Sequence, residues 1–264
     1  AASDAGVRPE TRRLELLGAD QGASLEAALK AAGVDADDAA HEDQWIFYDN
    51  AQCALTLRGW WLCERSGSWL LRVPVFGAGL ELAGYEEVTE PDMVLERAGL
   101  VQHAEAFRQG VVKNVERLLE KAGVTPFARL WSERSTYRFR YVDGAILPVG
   151  DIGSVAGHVL EVTLSRLRMD SSFAEDQAVA DLLFERGVGA RSVLRATLAD
   201  FRSKGTCGSE AHVAAEQELA TAMAQRGFCR TLASMAAFPE AVVYLSALRP
   251  VHLRQLQRAQ VPSM

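Results

Sequence analysis

Residues Trp60–Val75 read WWLCERSGSWLLRVPV. Two runs of strand-forming residues flank Ser66-Gly67, and a Ser-Gly pair between such runs predicts a two-residue hairpin turn. The turn sets the pairing: Arg65 faces Ser68, Cys63 faces Leu70 and Trp61 faces Arg72. Side chains alternate across a strand, so Trp61, Cys63, Arg65, Ser68, Leu70 and Arg72 share one face. Leu62, Glu64, Trp69, Leu71 and Val73 take the other, which reads as a core. The first face carries two arginines out of the middle of a sheet, as a cavity wall or a subunit contact would.

A second hairpin repeats the pattern. Asp143-Gly144 separates two strand-like runs in ARLWSERSTYRFRYVDGAILPV, a strong turn signal. Ser132, Arg134, Thr136, Arg138 and Arg140 alternate with Glu133, Ser135, Tyr137, Phe139 and Tyr141. Arginines on one strand face repel each other unless anions or carboxylates stand opposite. The face is therefore either a solvated surface or an anion-lined interior.

Outward from these hairpins the chain is α+β. SLEAALKAAG predicts a helix from Ser24 to a closing Gly33. The acidic stretch Val34–Asp43 reads as a loop. QWIFYDN and TLRGWWLCER read as strands, GYEEV (Gly84–Val88) as a short one, and SVAGHVLEVTLS as another. Asp49 reads as a strand-end turn former, and Trp60, Trp61 and Trp69 as packing residues. Pro91 opens a helical region, and VVKNVERLLEKAG is an amphipathic helix ending at Gly123. FAEDQAVADLLFERG and SEAHVAAEQELATAMAQRG are helical, with GTCGS between them as a link. A final helix is interrupted at Pro250, and its Arg249, His252, Arg254 and Arg258 predict a solvated or partner-docking surface. Strands thus concentrate over about 44–165 and helices over about 166–264, within one domain spanning 1–264.

Composition narrows the function. The chain has 264 residues, 48% of them hydrophobic, and a net charge of -7. This excludes a general nucleic-acid binder. No apolar run approaches the roughly 20 residues of a membrane helix, and no hydrophobic leader is present. A start at Ala1 followed by small and polar residues fits a processed organellar import product or a trimmed chain. Mitochondrial location is favoured, with the cytoplasm as alternative. Cys53, Cys63, Cys207 and Cys229 form no metal-ligand spacing and read as reduced thiols. The histidines are scattered, which argues against zinc.

Six segments in order then resemble the soluble thiamine triphosphatases of the CYTH, or triphosphate tunnel, group. They are FYDN, LTLRGWWLCERSGSWLLRVP, YEEV, ERSTYRFRYVDG, DIGSVAGHVLEV and VVYLSALRP, spanning roughly residues 10–256. The resemblance implies a closed, eight-stranded antiparallel tunnel with flanking helices. It also implies basic side chains that grip a triphosphate and carboxylates that hold Mg²⁺. By position it assigns phosphate binding to Arg65, Arg72, Arg134 and Arg138, and catalysis, if there is any, to Glu87, Arg72 and Arg134. Glu87 and Glu161 would be the metal ligands of an active chain.

Much of that cradle is missing. The stretch matching the Glu-x-Glu-x-Lys signature is ETRRLELL, Glu10–Leu17. Its best register puts Arg12, Leu14 and Leu16 where two carboxylates and a lysine belong; Glu10 or Glu15 can substitute for one, but not both at the right spacing. A basic position is Cys63. An aspartate position is Ile146 or Pro148. The Glu-x-Glu strand aligns as His158 and Leu160, or as Glu161 through a bulge. His158 reads as a sheet residue, not a base. The C-terminal lysine is Glu240. The expectation is a catalytically inactive tunnel protein, without cofactor, acting as an accessory subunit of a larger organellar assembly such as an ATP synthase or respiratory complex. Its partners would be protein subunits. The alternatives are a Mg²⁺-dependent hydrolase of thiamine triphosphate or another organic triphosphate, and a non-catalytic binder of a phosphorylated small molecule.

Overall fold

The Ser66-Gly67 turn forms where the sequence places it. Ser66 and Gly67 both take positive φ, 46° and 87°, the left-handed pair that a two-residue turn between twisted strands requires. The ladder beside it pairs Arg65 with Ser68, Cys63 with Leu70 and Trp61 with Arg72.

The computed structural model describes residues 12–18, 22–37, 41–76, 82–142, 145–149, 158–187, 189–200 and 239–259, with 217, 221, 224, 229 and 230 besides. The strands among them are β1 (Arg12–Gly18), β2 (His41–Asn50), β3 (Trp61–Arg65), β4 (Ser68–Phe76), β5 (Leu82–Val88), β6 (Val124–Val142), β7 (Ala145–Pro148), β8 (His158–Met169), β9 (Ala190–Asp200) and β10 (Cys229–Arg230). The helices are α1 (Gly22–Ala31), α2 (Pro91–Arg97), α3 (Val101–Arg108), α4 (Val115–Lys121), α5 (Gln177–Glu185), α6 (Pro239–Leu248) and α7 (Pro250–Ala259). Eight strands have five residues or more; β7 has 4 and β10 has 2.

Contacts divide the chain into two compact units. The first comprises Ala1–His41, Glu133–Arg166 and Arg191–Thr231; the second comprises Glu42–Ser132, Leu167–Ala190 and Leu232–Met264. In the first the hydrogen-bonded order is β10-β1-β9-β8-β6, with β7 on β6; in the second it is β6-β2-β3-β4-β5. The registers of β1 with β9 and β10, of β2 with β3, of β3 with β4, of β4 with β5 and of β6 with β7 are all antiparallel. The α+β antiparallel architecture therefore stands. Among the described residues the strand order is a path ending at β5 and β10, not a ring.

Three local expectations are also corrected. Strands lie beyond 44–165: β1 precedes that span, and β9 and β10 fall in the part read as helical. In β9, Leu194, Ala196 and Leu198 alternate with Val193, Arg195 and Thr197, a period of two that fits a strand. Thr56–Arg58, read as strand, is a single 3₁₀ turn closed by Gly59 at φ 75°. The strand β2 starts at His41, so Glu42 and Asp43 are strand residues and not loop. Val142 pairs with Ala145 around the expected Asp143-Gly144 turn, which lies outside the described residues, as do the GTCGS link and Glu10.

The core of the second unit explains its helices. Leu62, Leu71, Val88 and Tyr48 from the sheet pack with Val94, Leu95, Ala104, Val115, Leu118 and Leu119 from α2–α4. Trp60, Trp69 and Val73 lean on the same cluster. Each fully buried Leu or Val contributes about 1.5–3 kcal/mol. Pro91 sits in the first turn of α2, and Asn114 caps α4 by accepting from the Arg117 backbone N–H at 2.9 Å. Gly123 ends the α4 turn at φ 73°, a conformation costly for any residue with a Cβ. In the first unit Leu25 and Leu29 of α1 are buried, as are Tyr137, Phe139, Val162 and Leu164.

Candidate functional site

In the second unit the arginine face of the hairpin lies opposite the helix-covered face. Strand alternation adds Asp43, Trp45 and Phe47 from β2 to Trp61, Cys63, Arg65, Leu70 and Arg72, because Trp45 pairs with Arg65 and Phe47 with Cys63. Its floor is apolar and dry: Phe47 and Cys63 are 0% exposed and Trp61 2%. Trp45 stacks on Phe47 at 6.1 Å, and Trp61 meets Phe47 edge-on at 6.2 Å. The three tryptophans at 60, 61 and 69 are packing residues, as expected.

Both arginines have carboxylate partners. Arg65 donates to Asp43 Oδ2 at 2.7 Å, and its guanidinium lies over the Trp45 ring, 5.2 Å from its centre. Arg72 Nε donates to Glu87 Oε1 at 2.7 Å, since β4 and β5 pair Arg72 directly with Glu87. The two pairs differ in burial. The Asp43 side chain is 3% exposed, whereas that of Glu87 is 51% exposed. Glu64, an alternative partner on sequence grounds, lies on the helix-covered face and accepts from the Tyr48 hydroxyl at 3.3 Å.

Cys63 reports the charges around it. Burial pushes its thiol strongly up; Arg72 pulls it down, Glu87 raises it, Arg65 lowers it and Glu240 raises it. Glu240, where a lysine was expected from the resemblance, is 2% exposed in α6. Two guanidinium groups, Arg72 and Arg65, and two carboxyl groups, Glu87 and Glu240, thus act on this thiol, and Asp43 pairs with Arg65.

The first unit holds the other expected residues. Arg138 Nε donates to Glu161 Oε2 at 3.0 Å and stands 3.2 Å from Asp37 Oδ2. Thr136 and Thr163 meet across β6 and β8 at 3.4 Å. Arg134 is partly buried on the same strand face. Tyr137 and Arg166 both donate to Glu26 of α1 on the opposite face. Thus Arg65, Arg72 and Glu87 are brought together in one unit, and Arg134, Arg138 and Glu161 in the other. The side chain of His158 lies outside the described residues.

Magnesium would need several oxygen ligands, usually two or more carboxylates with water. Among the described residues no three His, Cys, Asp or Glu side chains converge. The expected ligands Glu87 and Glu161 each accept from a guanidinium instead. The donor set as described does not fit a Mg²⁺ site.

Sequence reasoning missed two features. Asp43 was assigned to a loop. His252, assigned to a surface, is 2% exposed; its Nε2 lies 2.8 Å from the Thr56 hydroxyl, which sits 2.6 Å from Asp49 Oδ2. Asp49 does form the strand-end turn expected of it, accepting from the Leu55 and Thr56 backbone N–H groups. Arg254 and Arg258 are exposed, as expected, and Arg249 is partly buried.

No known protein family and no curated protein matches the chain. Solved structures do. A proposed adenylyl cyclase from Hippeastrum, described as having a dominant triphosphatase activity, is 14% identical with a TM-score of 0.40, covering 87% of this chain and 94% of that one. A proposed adenylate cyclase of Vibrio parahaemolyticus is 16% identical at a TM-score of 0.35, over 85% and 94% of the two chains. One from Bacillus halodurans is 11% identical at 0.36, over 86% and 95%. At these identities and scores none of the three fixes this chain's chemistry.

Proposed function

We propose that this chain is a CYTH-like protein that does not hydrolyse triphosphates and serves as an accessory subunit of a larger assembly. The observation that carries the reading is the internal neutralisation of the arginine face. A triphosphate brings several negative charges and needs surplus cations to meet them. Here Arg65 is held by a buried Asp43 and Arg72 by Glu87, and Glu240 adds a third carboxyl group. A hydrolase also needs charge neutralisation at the reacting phosphate. Removing one such group costs about 10²–10³ in rate, and the described carboxylates are engaged elsewhere. A fold that neither grips nor cuts is retained for contacts with other chains. Half-exposed Val179 and Leu182, one turn apart on α5, are candidates to make them.

Purified protein incubated with Mg²⁺ and thiamine triphosphate, ATP or tripolyphosphate is expected to release no phosphate above a protein-free blank. Protein-dependent release that disappears in Glu87→Gln would establish a hydrolase instead. Native isolation is expected to find the chain in a large complex; a free 29 kDa species (28.7 kDa by composition) would end the accessory-subunit reading. The mitochondrial address expected from the sequence is carried as part of this proposal and is checked by fractionation before that isolation.

A second reading, a binder of a phosphorylated metabolite without turnover, is favoured by one observation. The Glu87 side chain is 51% exposed, so an anion can compete for Arg72 against a water-screened partner.

A further inference from the structure

The deepest polar network of the second unit plays no part in the arginine face. Asp49, at the end of β2, is 2% exposed, Thr56 is 0% and His252 of α7 is 2%. The Thr56 hydroxyl has one proton and three neighbours: Asp49 Oδ2 at 2.6 Å, His252 Nε2 at 2.8 Å and the Cys53 carbonyl at 3.3 Å. An ionised Asp49 can only accept, and its contact is the shortest. The hydroxyl therefore donates to Asp49 and accepts from Nε2–H. That leaves Nδ1 as the bare nitrogen of a neutral ring. It is buried and, among the described residues, has no hydrogen-bond partner. The Phe127 ring meets the imidazole edge-on at 5.0 Å.

We propose that the Thr56–His252 bond is a proton-sensitive clasp that holds α7 on the 3₁₀ turn after β2 and lets go on mild acidification. Protonating Nδ1 would create a buried N–H with nothing to donate to, at a cost of about 1–3 kcal/mol. The charged and titratable groups that face the ring come from each packed segment. They are Asp49 of β2, Glu175 ahead of α5, and Arg249 between α6 and α7. Asp49 and Glu175 favour the imidazolium; burial and Arg249 oppose it, and the opposing pair prevails.

The clasp has a second jaw. Glu175 accepts from the Val251 and His252 backbone N–H groups, both at 2.9 Å, and so caps the start of α7. The sign follows from linkage. The folded-state value of His252 is lowered, so the docked helix resists a proton that the undocked one accepts. Docking is complete above the ordinary value of 6.5 and weakens as pH falls below it. One unit below, at pH 5.5, the docking equilibrium has dropped by at most about tenfold.

The test is amide hydrogen exchange on the full chain at pH 7.5 and 5.5, corrected for intrinsic rates. Protection over residues 250–259 is expected to fall several-fold, at most about tenfold, while the β3–β4 amides keep theirs. In His252→Gln, which retains a donor toward Thr56 but cannot titrate, the fall is expected to vanish. An equal fall in both proteins, or none in the wild type, overturns the proposal. If His252→Gln does not fold, the wild-type His252 ring proton is followed by NMR. Titration below 6.5 in step with the loss of α7 protection supports the clasp; titration at the ordinary value, or without any change in α7, overturns it.

Discussion

The two faces of the β3–β4 hairpin are one residue apart in sequence and built by different physics. Leu62, Trp69, Leu71 and Val73 face α2–α4 and are held by hydrocarbon burial. Trp61, Cys63, Arg65 and Arg72 face the other way over an equally dry floor, with each arginine held by a carboxylate. The first face is what any half-buried antiparallel sheet needs. The second places charge where a plain core would place leucine. Each pair has one exposed member, Arg65 at 42% and Glu87 at 51%, so water screens both. On the proposed reading, their mutual neutralisation leaves little surplus charge for a multiply charged anion.

Substitutions on the two faces sharpen the contrast. The largest effect is expected on the helix-covered side. Leu71 is 0% exposed, and Leu71→Ala should cost about 2–5 kcal/mol through lost burial and a cavity, read from urea unfolding. Next comes Asp43→Asn. It removes the buried partner of Arg65 and should cost about 1–3 kcal/mol. A double-mutant cycle with Arg65→Met isolates the pair. A loss matching that of Leu71→Ala would mean that the ionic face also carries the fold. Glu87→Gln should stay within about 1 kcal/mol of wild type, because exposed pairs contribute little. The same variant should gain a thermal shift with millimolar tripolyphosphate, since it weakens one carboxylate partner of Arg72. The smallest effect concerns Cys63. It is 0% exposed and its thiol is held up by burial, so folded protein at pH 8 should leave the Cys63 peptide unmodified by a thiol reagent. Labelling as fast as in urea would show the floor to be open.

The hairpin was legible because one turn fixes everything beside it. Ser66-Gly67 determined three cross-strand pairs and both faces, and the ladder repeats them. Gly33, Gly123 and Pro250 marked helix ends for the same kind of reason: each is local backbone chemistry. Partners distant in sequence were not legible. Asp43 stands in a run of charges that looks like a loop, and a nearly fully buried aspartate is rare unless paired; its partner is 22 residues away. His252 is 196 residues from Thr56. Its one local clue was Leu256, four residues on and equally buried at 2%, which puts both on one helix face. That spacing separated His252 from the exposed Arg254 and Arg258, and the charge of the segment outweighed it. Closure of the sheet was equally beyond local reading, because it depends on whether the first and last strands meet.

The most direct test of the neutralised face is a calorimetric titration of the full chain with inorganic tripolyphosphate, without metal, beside Glu87→Gln. The account predicts no saturable heat from the wild type and weak saturable binding from the variant. Tight, saturable binding by the wild type that is lost in Arg72→Ala would contradict it, because the arginines would then be holding an anion that their carboxylates were said to exclude.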